Sequence, residues 1–272
     1  MDNLTSLDQF GFLAVTGRDA QKFLQGYTTC DLDELPASKV SAGAICNIKG
    51  RMVCNFLLCR EEDGFLLRIH RDLIEPVIAF LGKYIVFSKA SIVDRTDTLH
   101  CYGLTAEGDK FPHAKGAITA TSNGHLVKVS EAPRFELWTT ELQETGGDPM
   151  QWLQSELREG IVWVDESSAE EYIPQMFNLQ SLEGISFSKG CYLGQEIVAR
   201  MQYRGELKNR LHIGESESPL SNGTKILNPK GRPAGAIVGA AGLHFAAVLR
   251  AGETGYSLED GTPVTVAEVL KI

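Results

Sequence analysis

The chain has 272 residues, 43% of them hydrophobic and 22% charged, with a formal net charge of −9. That composition is ordinary for a water-soluble globular protein with a substantial core. The acidic total excludes a protein that coats nucleic acid electrostatically, so direct nucleic-acid binding is not expected. No apolar run approaches about 18 residues, so no membrane span is expected either. Met1-Asp2-Asn3-Leu4 is acidic and polar and fits neither a secretory signal nor an Arg-rich transit peptide. A cytoplasmic, reducing compartment follows.

Leu7 to Val15 is mostly apolar and predicts a strand entering the core. Thr16 is a candidate cap for a helix from about Gly17 to Gly26, with Ala20, Phe23 and Leu24 on one face. Ser41 to Asn47, Met52 to Arg60 and Phe65 to His70 predict three strands, the last two joined by an Asp63-Gly64 hairpin signal. Leu73, Ile74, Val77, Ile78 and Leu81 predict a helix over 72–84, with Pro76 in its first turn. Ala90 to Val93 predicts a further short strand.

Leu99 to Leu104, Ala117 to Ala120, His125 to Val129 and Phe135 to Trp138 predict four more strands. Asp148-Pro149 opens a helix that Gly160 ends. The order predicts an α+β class, with helices packed on antiparallel sheets and a hint of internal duplication. After Arg210, short apolar segments (211–213, 236–238, 246–249, 264–270) alternate with Gly, Pro and Asn turns, predicting a small β-barrel or sandwich. The domain reading is 1–205 for the α+β region, with one subdomain at roughly 41–96, and 206–272 for the β-unit.

The six cysteines (Cys30, Cys46, Cys54, Cys59, Cys101, Cys191) include no C-x-x-C pair. Cys54 and Cys59 flank an apolar strand and read as core residues, not metal ligands. Cys191 differs. It sits in Lys189-Gly190-Cys191-Tyr192-Leu193-Gly194-Gln195-Glu196, two glycines, a lysine, a thiol, an amide and a carboxylate in eight residues. A helix is predicted to follow at once, placing Cys191 at or just before its N-terminus. That position, with Lys189 beside it, would lower the thiol pKa. A buried residue of the helix start is the bland alternative. Between Lys189 and Arg210 five basic residues (Lys189, Arg200, Arg204, Lys208, Arg210) face two acidic ones, either a solvated face or a docking patch for an anionic ligand.

The segment 189–196 resembles the K-G-C-[FY]-x-G-Q-E signature of the YgfZ family, matching it throughout. Residues 17–31 (G-R-D-A-Q-K-F-L-Q-G-Y-T-T-C-D) are similar to that family's opening G-x-D-x-x-x-F-L-Q-G-x-x-T-x-D pattern, and 83–89 carries a further likeness. The related glycine-cleavage T-proteins carry K-x-D-F-[IV]-G-[KR]-E, so Cys191 stands where they have Asp and Gln195 where they have a base. The resemblance implies two interleaved α+β units and a C-terminal β-barrel around a central folate channel. It implies tetrahydrofolate as cofactor, and a role in assembly or repair of iron–sulphur clusters in client enzymes, including tRNA-thiomethylating ones. Any tRNA connection would run through such a client.

Carried onto this chain, the resemblance makes Cys191 the working thiol or transient cluster ligand. Lys189 becomes its activator, Gly190 and Gly194 the turn formers, and Tyr192, Gln195 and Glu196 the rest of the motif. Phe10, Trp152 and Arg200 become folate contacts. Leu157-Arg158-Glu159-Gly160 departs from the relatives' I-E-A-G, with Arg158 in place of their glutamate. Two other readings are a folate-dependent one-carbon transferase and an interaction module with a vestigial pocket.

Overall fold

The computed structural model describes residues 4–108, 111–203 and 205–269. In chain order the elements begin with β1 (Thr5–Ser6), β2 (Phe10–Thr16), α1 (Ala20–Gln25), β3 (Ser41–Cys46), β4 (Met52–Glu61) and β5 (Gly64–His70). Next come α2 (Ile74–Ile85), β6 (Ser91–Asp94), β7 (His100–Thr105), β8 (Ile118–Thr121), β9 (Gly124–Lys128) and β10 (Arg134–Thr139). The chain continues with α3 (Pro149–Arg158), α4 (Gln195–Tyr203), β11 (Asn209–Glu215), β12 (Lys225–Leu227), β13 (Pro233–Ala241), β14 (His244–Arg250) and β15 (Thr265–Glu268). Arg204 and Leu270, which the sequence reading used, lie outside the described residues.

Three five-stranded sheets result, ordered β3-β4-β5-β2-β6, β1-β7-β10-β9-β8 and β12-β13-β14-β11-β15. Every strand pair is antiparallel. The mixed α+β class expected from the sequence is the class observed. The first sheet takes in β2 as well as the strands of 41–94, so 41–96 alone is not a complete sheet. The C-terminal unit is a five-stranded antiparallel sheet; the closed barrel expected there is not established by its strand ladders. Among the described residues no ladder joins β12 to β15; single bridges at Leu227–Ser257 and Ser257–Pro263 lead from the β12 edge to the residue two before β15.

Strand β2 explains how the sheets stack. Its burial is nearly continuous, which is why its sequence reads as an unbroken apolar run. Leu13 and Val15 point into one core, with Phe23, Leu24, Phe56 and Leu81. Phe10, Phe12 and Ala14 point into another, with Leu66, Trp138 and Trp152. The period-2 alternation of a strand thus serves two layers at once. On β5 the same alternation puts Phe65, Leu67 and Ile69 in the first core, and Leu66 and Arg68 on the face that meets β10.

Helix α3 couples this assembly to the third sheet. Asp148 caps it by accepting a hydrogen bond from the Met150 amide at 2.9 Å, and Pro149 opens its first turn. Gly239 on β13 lets Leu157 of α3 approach closely: a Cβ there would lie 2.9 Å from the Leu157 side chain.

Candidate functional site: a cleft walled by buried charges, and a separate thiol loop

A cleft of about 860 Å³ opens between the first two sheets and the segment 161–163 that follows α3. Its size falls within the range of small-molecule sites, roughly 300–1,000 Å³. Arg68 and Glu136, both wholly buried, form its floor. Arg68 donates from Nε to Glu136 Oε2 at 3.0 Å and from Nη2 to Oε1 at 2.9 Å, a two-pronged pair. Glu136 Oε2 also accepts from Trp138 Nε1 at 2.7 Å. The guanidinium lies 3.8 Å from the Phe10 ring centroid and 3.9 Å from that of Trp163. Its Nη1 has no hydrogen-bond partner.

Glu156 stands beside this pair. It is 3% exposed, on the same face of α3 as Trp152 one turn earlier. Its Oε1 accepts from Trp163 Nε1 at 3.0 Å, while Oε2 is buried without a partner. Burial pushes the Glu156 carboxyl up to about 7, with Arg68 pulling it down and Glu136 pushing it up. Near neutral pH this group can accept, hold or give a proton. Asn55 fixes the segment that carries Trp163, donating to Val162 O and accepting from Val164 N, each at 2.8 Å. Lys39 and Lys115 stand exposed at the far end of the cleft, with Lys128 nearby.

The raised Glu156 pKa has a consequence for stability. The folded state holds a proton that the unfolded chain releases at its ordinary carboxylate value, so stability should fall as pH rises from about 4.5 to about 7. The loss is on the order of 3 kcal/mol. Urea unfolding of wild type and Glu156→Gln across that window should show the slope in the wild type and lose this component in the variant.

Of the expected folate contacts, Phe10 and Trp152 do not line the cleft. Phe10 is a buried platform under Arg68. Trp152 is core, close against Gly103 and 4.8 Å from the Arg134 guanidinium. The aromatic side chains that line the cleft are Trp163 and the deeply buried Phe56, neither of which the sequence reading singled out. Arg200 is exposed on α4 and is not part of the cleft wall. Arg158 points away, its Nη2 lying 3.5 Å from His244 Nε2. The carboxyl that does line the cleft from this helix is Glu156, two residues before Arg158.

The motif 189–196 forms a second centre. Helix α4 begins at Gln195, so Cys191, expected at or just before the helix N-terminus, lies four residues ahead of it. Lys189 does not serve Cys191. Its buried ammonium donates to three main-chain carbonyls, Gln25 and Thr28 at 2.8 Å and Cys30 at 2.7 Å, using all its protons. Desolvation lowers its pKa, with Cys30, Asp31 and Asp33 opposing. Tyr192 is buried over the same ammonium, 5.3 Å from Nζ to ring centroid.

Leu193 N donates to Gly26 O at 3.0 Å, and Ser186 N to Thr29 O at 2.8 Å. Thr29 Oγ1 donates to Gly184 O at 2.5 Å. The two segments that resembled one family in sequence, 17–31 and 189–196, are therefore tied together. Asp31, at the end of the first, lines the cleft.

Gly194 is required for shape. It has φ +81°, and a Cβ there would meet Asn47 O at 2.4 Å. Gly190 meets no atom within 4 Å of an added Cβ and has no positive φ, so the expected turn-forming role falls to Gly194 alone. Gln195 is half-buried, and Glu196 is exposed on α4.

Cys191 is the one exposed thiol of six. Cys54 and Cys59 are buried in the core as expected, and burial pushes both up to about 12. No group of three His, Cys, Asp or Glu side chains arranged to hold a metal occurs among the described residues. No helix among them is long and apolar enough to cross a membrane.

This arrangement of sheets, helices and cleft is the fold of a glycine-cleavage T-protein. The aminomethyltransferase T of Bartonella henselae superposes with a TM-score of 0.67 over 98% of this chain and 84% of that protein, at 11% identity. No protein-family model matches the chain. Sequence comparison goes further. The tRNA-modifying protein YgfZ of Sodalis glossinidius (strain morsitans) is 35% identical over 245 residues, covering 82% of this chain and 75% of that protein. The protein of the same name from Yersinia pseudotuberculosis serotype O:1b is 36% identical over 229 residues, covering 77% and 69%. The chain belongs to the YgfZ family.

Proposed function

We propose that this chain binds tetrahydrofolate in the cleft and supports the assembly or repair of iron–sulphur clusters in client enzymes, tRNA-thiomethylating enzymes among them. The observation that carries the folate reading is the Glu156–Trp163 wall: an aromatic surface beside a buried carboxyl with an unused oxygen. A pterin is a flat ring with N–H donors on one edge. Trp163 fits its face and Glu156 its edge, and the Arg68 Nη1 left without a partner fits an acceptor on the ring. Lys39 and Lys115 suit the anionic glutamate tail. Bound tetrahydrofolate would supply one-carbon or reducing chemistry. The residues of this chain hold it, keep water from its ring and poise one proton at Glu156.

The exposed Cys191 is the group available to a client. It lies on a loop that the Lys189 clamp fixes to the cleft-lining segment, so the loop and the cleft are mechanically joined. The relatives' name, tRNA-modifying protein, supports the tRNA side of the reading. The six free thiols support a reducing, cytoplasmic setting.

Glu156 also favours a second reading, a one-carbon transferase, because such an enzyme needs a titrating carboxyl next to folate. Cys191→Ser separates the two. With the first reading it loses support of a thiomethylating client in cells lacking the wild-type chain, while the purified protein keeps its folate affinity. Full client support by Cys191→Ser would remove the thiol from the account, and turnover of a small methylated amine would favour the transferase.

A further inference from the structure

Behind the wall that Glu156 and Trp163 present to the cleft lies a second, smaller pocket of about 140 Å³. The volume is close to the roughly 150 Å³ that accommodates benzene in an engineered protein cavity. It lies where the units meet. Gln9 and His70 come from the first sheet and its approach, Glu156 from α3, Asp165 from the segment after it, and Asn222 from the loop before β12. Two polar atoms of this lining are buried without any polar partner, Gln9 Nε2 and Glu156 Oε2, whereas His70 Nδ1 faces Asp72. Buried polar groups are nearly always satisfied, so two around one small space mark a site.

The charge of the lining selects the ligand. No Lys or Arg contributes. Asp165 accepts from Asn222 Nδ2 at 2.6 Å, Ser167 Oγ at 2.7 Å and Ser168 Oγ at 2.8 Å. Its carboxyl stays below the usual range because those bonds outweigh its burial. Burial holds His70 below its usual value, Asp72 and Asp165 opposing, so at neutral pH the ring can offer a lone pair. Its Nδ1 lies 3.5 Å from Asp72 Oδ2, on the exposed side. Glu156 adds its unpartnered oxygen, the same one offered to a pterin edge in the cleft, so the two ligands would share it, and the Gln9 amide, turned over, adds another acceptor. Acceptors and a fixed negative charge in a space this size favour a compact hydrogen-bonding cation and disfavour an anion.

We infer that this pocket binds a small molecule carrying a protonated amine, of up to about six non-hydrogen atoms, one side-chain wall away from the cleft. Its purpose rests on the folate reading above; the binding itself does not. The pocket is joined to the cleft through the Glu156 carboxyl and Trp163, which line both.

The test is a titration of the purified full chain with methylammonium and dimethylammonium chloride at constant ionic strength, read by saturation-transfer NMR, with acetate as the anionic control. Saturable ammonium binding is expected, with none for acetate. Gln9→Leu should weaken it at least tenfold while leaving tetrahydrofolate affinity within twofold, because Gln9 does not line the cleft. Folded wild type that binds neither ammonium ion, or Gln9→Leu that binds as the wild type does, overturns the inference. Tetrahydrofolate binding without ammonium binding removes the pocket and leaves the folate reading intact. Gln9-dependent ammonium binding without tetrahydrofolate binding does the reverse.

Discussion

Glu136→Gln should destabilise the protein by about 3–5 kcal/mol, because it leaves the Arg68 guanidinium buried with half its pair gone. Both partners are fully inaccessible, so solvent cannot take over. The variant should also change Glu156. Removing the Glu136 charge takes away one of the influences that raise the Glu156 pKa, and the freed Arg68 favours its ionised form. The upper end of the pH window over which stability falls should therefore come down, while its lower end stays at the ordinary carboxylate value. Urea unfolding at several pH values measures both effects. Replacing Arg68 and Glu136 together by Met should recover much of the stability, since buried pairs are replaceable by apolar groups of similar volume. A single Glu136→Gln that costs under about 1 kcal/mol would show that the pair is not held in the low-dielectric setting described.

Lys189→Met should cost about 3 kcal/mol or more. Three carbonyls on 25–30 lose a charged donor, and each buried group left unpaired costs about 1–3 kcal/mol. Cys191→Ser, two residues away but exposed, should lie within about 0.5 kcal/mol of wild type. The contrast divides one eight-residue motif into a structural half and a chemical half. If the two substitutions cost the same, the clamp is not what fixes the loop. Because Asp31 lines the cleft just beyond the clamped carbonyls, Lys189→Met should also loosen folate binding without touching the ligand.

Regular elements were readable wherever one period dominated. The strands at 41–46, 52–61 and 64–70, and the helices around 72–84 and 149–158, follow from alternation, helical spacing and the Asp148-Pro149 start. The C-terminal unit was read as β, but whether its edges meet was not readable, because closure depends on which edges pair and no local pattern encodes that. Within the site, the motif 189–196 was visible, yet the partners of its residues were not. Lys189 looks like an activator of the neighbouring thiol in sequence, and only the fold brings Gln25, Thr28 and Cys30 to it.

The cleft residues had a signal that went unused. Arg68 is the lone charge inside Phe65-Leu66-Leu67-Arg68-Ile69, and Glu136 the lone charge inside Phe135-Glu136-Leu137-Trp138. Opposite single charges in two apolar strands are candidates for a buried pair. Glu156 likewise sits four residues after Trp152, on the apolar stripe of its helix. Phe10 and Trp152 were the more conspicuous aromatics, but both are buried between layers and neither lines the cleft.

The most direct test is a calorimetric titration of the purified chain with tetrahydrofolate, comparing wild type with Trp163→Ala. Saturable binding in the wild type, weakened by about 1–3 kcal/mol in Trp163→Ala, is the predicted result. Absence of saturable binding in folded wild type, or equal affinity in the two, would contradict the cleft as the folate site.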